Sequence, residues 1–260
     1  MANYEKQVLK ELTEWQKEMQ SSPTLFGKAA KAVQVRINRI IPEKIHQVIT
    51  AAIKQMTRTV IFGADFTTSW PKSLKKDVPN RAFNEIEDKV KERIRFYRSA
   101  AAAEGAATGF GGILLGFADL PLWLSIKMKM VFEIADNYGI DIKDYKERIY
   151  ILHIFQLTFS SQKHRNDVYR IIEDWDNQKN LLPNDINEFD WRTFQLEYRD
   201  FLDLAKLLQL IPGIGAVVGA YVNHKYTDKL GITAMNAYRL RLHPSKLQLP
   251  TVYCVLVVRQ

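Results

Sequence analysis

SAAAAEGAATGFGGILLGFAD, residues 99 to 119, holds fourteen uncharged residues from Gly105 to Ala118, five of them glycine. Gly105 and Gly109 stand four apart, as do Gly112 and Gly116. On a helix this spacing lays bare patches along nearly one face, where a second helix can approach backbone to backbone. Each helical glycine costs roughly 1 kcal/mol relative to alanine, so such a segment needs a close packing partner. The partner expected is Leu207 to Val222, LLQLIPGIGAVVGAYV, in which Pro212 and Gly213 precede Gly215 and Gly219, again four apart. Two packed glycine-rich segments are thus expected at the centre of a multi-helix bundle.

Working outward, periodicity gives helices on both sides. Tyr4, Val8, Leu12, Trp15 and Met19 form an apolar stripe ended by Ser21-Ser22-Pro23. A basic helix is expected over Phe26 to Ile40. Pro42 opens the next, with Ile45, Val48, Ile49, Ala52, Ile53, Met56 and Val60 on one face. Gly63 to Asn80 reads as a break. From about Arg81 a helix runs into the glycine stretch, carrying Lys89, Lys91, Arg93, Arg95 and Arg98 beside Phe96 and Tyr97. Cations directly before an apolar segment suit a surface that holds anionic headgroups; a solvated face, with Glu85, Glu87, Asp88 and Glu92, is the plainer alternative. Leu122 to Tyr138 is helical and stops at Gly139, a candidate for the residue just past the helix end. Asp144 caps a helix through Phe159. Gln162 to Trp191 should hold one short helix and an exposed loop, followed by a helix from Phe194 and a last one to about His243. The class is all-α, as one helical domain over residues 1–243; the β-prone tail, 244–260, stands apart from it.

With 37 Lys plus Arg against 29 Asp plus Glu, the formal net charge of +8 favours anionic partners. A membrane surface or a membrane protein complex is the expected one. Nucleic acid is not, because the cations are spread over several helices without a recognition pattern. The single cysteine, Cys254, excludes an intrachain disulfide. The charged N-terminus has no apolar h-region, so the expected place is the cytoplasm. Neither glycine segment is a clean run of about 20 apolar residues, which ranks a buried core helix or an inserting hairpin ahead of a true span.

No catalytic constellation is found and no cofactor is expected. His46, His153, His164, His224 and His243 form no close ligand pair, so no metal is expected. Asp174, Asp176, Asn180 and Asp185 superficially resemble a calcium loop, but Lys179 stands where the turn needs glycine; a solvated acidic loop is expected. The GFGG run at Gly109 to Gly112 lacks the ending of a phosphate loop. Asp119, two residues before Pro121, is read as a cap, or as a carboxylate paired with Lys127, Lys129 or Arg98.

The chain resembles the EcsC family. The resemblance starts at Ile41-Pro42-Glu43-Lys44-Ile45 and is strongest from Gly105 to Asp119-Leu-Pro121. It continues through Ile134-Ala135 and Tyr138-Gly139-Ile-Asp141 to Ile211-Pro212-Gly-Ile-Gly215, Gly219 and Asn223. Ala237-Tyr238-Arg239 and Arg241 close it. It implies a helical bacterial protein tied to a membrane or to an ABC transporter, with no known active site. The resulting expectation is a non-enzymatic accessory protein, peripheral or partly inserted. A soluble interaction domain is the first alternative. The second is a hydrolase or lipid-acting enzyme using Asp119, Glu104 or His153.

Overall fold

The computed structural model describes residues 2–21, 43–62, 83–108, 120–160, 164–202 and 216–242. Within these residues the fold is all-α; no strand occurs, only an isolated bridge between Ser160 and Leu202. The expected helix over Phe26 to Ile40, the break over Gly63 to Asn80 and the tail from 244 lie outside the described residues.

Helix α1 (Ala2–Gln20) buries Val8, Leu12, Trp15 and Met19, the stripe its spacing predicts. Helix α2 (Glu43–Phe62) buries Ile49, Ala52, Ile53, Met56 and Val60. Val48, at the edge of that stripe, is exposed, because the face α2 turns to its neighbours is narrower than the apolar pattern.

The centre is built from α3 (Phe83–Thr108), α4 (Leu120–Asn137), α5 (Tyr145–Phe159) and α9 (Ala216–Leu242). The α3–α9 contact is the most extensive in the molecule. Glu87 meets Arg239, Ile94 meets Gly231 and Arg98 meets Asp228, so the two helices run antiparallel. A side chain at Gly231 would place its Cβ 2.7 Å from Ile94 Cγ1, which is why glycine sits there. Helix α4 runs parallel to α9, with Lys127 at Asn223 and Tyr138 against Tyr238. Helix α5 is antiparallel to α9, with Glu147 at Arg241 and Phe159 stacked on Tyr226.

The turn between α4 and α5 is dictated locally. Gly139 has φ 80°, and its N–H donates to Asp136 O at 2.9 Å while Ile140 N–H donates to Ala135 O at 3.1 Å. This is the paired closure that favours glycine just past a helix end. Asp144 then accepts from Lys146 N–H at 2.9 Å and starts α5, the cap expected from sequence.

Around this centre α2 packs on α4 and α5. The polar stretch differs from expectation. It forms two short helices, α6 (Arg165–Glu173) and α7 (Trp175–Leu181), then a 3-10 turn (Ile186–Glu188). The acidic segment is therefore helical where a loop was expected, because buried Trp175 anchors it with its ring 5.1 Å from Tyr150 and 6.0 Å from His153. Helix α8 (Trp191–Phe201) follows, and Tyr198 O–H donates to Leu152 O.

Candidate functional site

Two buried polar clusters hold the bundle, and each draws residues from distant parts of the chain. Glu87 on α3 is 0% exposed and Arg239 on α9 is 1% exposed. Arg239 Nε and Nη2 donate to the two Glu87 oxygens at 2.5 and 2.7 Å. Its Nη1 reaches Glu11 at 2.9 Å and Asn236 at 3.1 Å. Tyr4 O–H donates to Glu87 Oε2 at 2.6 Å and Tyr138 O–H to Oε1 at 3.3 Å. Burial alone would raise the Glu87 pKa, but the Arg239 fork, Tyr4 and Lys91 together hold it below the usual carboxylate range. Arg239 is pulled the other way, burial notwithstanding, by Glu87 and Glu11. The pair is thus locked in its charged form, which makes it a clamp rather than an acid–base device.

The second cluster centres on Glu147 of α5. Arg241 grips it at 2.8 and 3.1 Å, and Lys179 of α7 donates at 2.8 Å while also meeting Asp144 at 2.9 Å. Arg241 lies over the Tyr150 ring, 4.6 Å from its centroid. Despite burial, Arg241 and Lys179 keep the Glu147 pKa low. Nearer the start of α4, buried Lys127 donates to Asn223 Oδ1 at 2.7 Å and stands 3.5 Å above the Trp123 ring, whose N–H donates to the same oxygen.

Among the described residues His153 packs against aromatic rings. Its ring lies between Trp175 and Phe194 with Nδ1 2.9 Å from Gln156 Oε1. Burial lowers its pKa to about 4 although the Gln156 bond opposes this, so the ring is neutral near pH 7. A cleft between α2 and α4, with Met56, Thr59, Ser125 and Met128 in its wall, has no ionisable side chain in its lining. Among the described residues no group of three or more His, Cys, Asp or Glu could hold a metal ion.

Of the residues singled out from sequence, Gly109, Gly112, Gly116, Asp119, Pro212, Gly213 and Gly215 lie outside the described residues. Gly105 falls in the last turn of α3, Pro121 in the first turn of α4 and Gly219 in the first turn of α9. The five cations of α3 are divided. Lys91, Arg95 and Arg98 share the flank towards Asp228; Lys91 is 3.9 Å from Glu87 and Arg98 pairs with Asp228 at 2.9 Å. Lys89 and Arg93 lie on the other flank, where Arg93 stands 6.0 Å from the centroid of the exposed Phe96 ring. Sequence reading missed Glu87 as a buried residue and Gly231 as a packing glycine. The only prior signal for the clamp was that Tyr138 and Arg239 carry the family resemblance.

The end of α3 at Thr108 and the starts of α4 at Leu120 and α9 at Ala216 lie at the same end of the bundle. Leu202, bridged to Ser160 after α5, belongs to that end too. Both glycine-rich segments are therefore joined to the bundle at one end. Among the described residues no helix is long and apolar enough to cross a membrane.

A family model described as the EcsC protein family matches residues 6–242. The chain is 41% identical over 235 residues to Protein EcsC of Bacillus subtilis (strain 168), covering 90% of this chain and 94% of that protein. It is 28% identical over 250 residues to the Uncharacterized protein YdbA of the same organism, covering 90% of this chain and 91% of that one. No solved structure matches the chain.

Proposed function

The chain belongs to the EcsC protein family, and from that premise we propose that it works at a membrane surface as a non-enzymatic accessory protein of a membrane complex. An ABC transporter is the candidate complex that the family resemblance suggests. The observation that carries the reading is the convergence of Thr108, Leu120, Leu202 and Ala216 at one end of the bundle. The segments joined there include residues 109–118 and 207–215, which have no charge. Uncharged, glycine-rich sequence attached at one end of a charged helical body suits a protein that rests on a bilayer. The positive balance of the chain suits the negative cytoplasmic leaflet.

The buried clusters support a scaffold role, since their charges are mutually neutralised and no proton is poised to move. Flotation of the full chain with vesicles of neutral or anionic lipid, at low and high salt, tests the reading. Flotation that survives high salt is expected, because apolar insertion is not screened. A chain that stays at the bottom of the gradient with every lipid would turn the assignment to a soluble protein-interaction domain.

A further inference from the structure

The exposed side chains Tyr221, Lys225, Lys229 and Ile232, with the partly exposed Asp228 among them, line one flank of α9 over about 16 Å at helical rise. The antiparallel register places Arg98 and Arg95 of α3 beside this line, and the Arg98–Asp228 pair ties the two helices there. The geometry points to this flank, with Arg95, Lys225 and Lys229 as its cations and Tyr221 as its anchor, as a contact surface for the anionic headgroups of a lipid bilayer. The inference rests on the membrane reading above and adds the face that meets the lipid.

Three features support it. First, the charge is uncompensated: among the described residues neither Arg95 nor Lys225 makes an ion pair, and Asp228 is already taken by Arg98. The pKa of Lys229 is lowered by desolvation, with Arg165 and Lys225 adding to the effect and Glu18 opposing it. Second, Tyr221 is 64% exposed in a helix whose other aromatics are buried or partly so; an exposed ring with a polar tip suits the headgroup level. Third, Tyr221 lies in the second turn of α9, next to the end where the uncharged segments join. A bilayer that received those segments would meet this flank at its rim.

The test compares vesicle binding of the full chain and two exposed double variants, using phosphatidylglycerol–phosphatidylcholine vesicles and phosphatidylcholine alone. Lys225→Gln with Lys229→Gln removes charge from the proposed face. Lys6→Gln with Lys10→Gln removes the same charge from α1 at the far end of the bundle. In low salt the first is expected to weaken binding to anionic vesicles about thirty-fold, and the second by less than about threefold. Tyr221→Ala should lower the fraction that remains bound in high salt. Circular dichroism of each variant should match the parent, since these side chains are exposed. Equal losses from both double variants, or none from the α9 pair, would overturn the proposed face and leave the membrane reading standing. No binding by the parent to either vesicle would instead remove the membrane reading itself.

Discussion

The same pair of helices, α3 and α9, is fastened by one ion pair near an end and by another near mid-length, and the two fastenings are physically opposite. At the end, Glu87 and Arg239 are dry, fork-to-fork, and surrounded by Tyr4, Glu11, Tyr138 and Asn236. Near mid-length, Arg98 and Asp228 meet through one 2.9 Å contact with 32% and 31% of their side-chain surfaces in water. A buried charge must be fully partnered to be tolerated, so the first pair fixes which helices meet and in what register. A half-exposed pair is worth at most about 1 kcal/mol, so the second can be exchanged for another ligand at little cost. The difference separates a pair that specifies the fold from a pair left available for contacts.

Removing one partner of the dry pair should have the largest effect. Arg239→Met leaves Glu87 buried with only the 3.9 Å Lys91 contact and the Tyr4 and Tyr138 hydroxyls, and should lower unfolding free energy by about 3–5 kcal/mol in urea titration. Glu87→Met combined with Arg239→Met should be more stable than either single variant; if the two losses simply add, the clamp is not a coupled unit. Acid should weaken the same end. The folded pKa of Glu87 lies below its ordinary value of 4.5, so its contribution is complete above that value and is lost as pH falls through the folded pKa. Glu147 acts with the same sign. The Met–Met variant should therefore show a shallower loss of stability below about pH 4.5 than the parent.

A middle-sized effect is expected between the two pairs. Gly231→Val drives a side chain into Ile94 and should cost about 1–3 kcal/mol, partly recovered by Ile94→Ala. Full stability in Gly231→Val would mean that the helices do not approach as closely as the 2.7 Å contact requires. Gly139→Ala, in the turn beside Tyr138, should cost about 1 kcal/mol through its left-handed backbone. Arg98→Ala should be the mildest, within about 0.5–1 kcal/mol and diminishing in salt. A larger loss there would erase the contrast between the two pairs.

What the sequence discloses follows the range of the interaction. Local signals are plain: the stripes of α1 and α2, the stop at Gly139 and the cap at Asp144 all depend on residues within a turn or two. Glu87 was indistinguishable from Glu85, Asp88 and Glu92, because what buries it is an arginine 152 positions away. Gly231 carried no pattern, since a lone glycine declares its purpose only when Ile94 of another helix is set against it. Helix α7 is hidden by its polar composition, and one tryptophan reverses that reading. The proposed flank is half visible: the α3 cations stand together in sequence, but the cations of α9 join Arg95 only through the antiparallel register.

The 152-residue separation between Glu87 and Arg239 also orders events during synthesis. At about 5–20 residues per second, the ribosome finishes Arg239 roughly 8–30 seconds after Glu87. Through that interval Glu87 must stay hydrated, and α3 and α4 cannot close dry around it. The nascent chain therefore makes α3 and α4 well before Arg239 of α9 is there to partner Glu87.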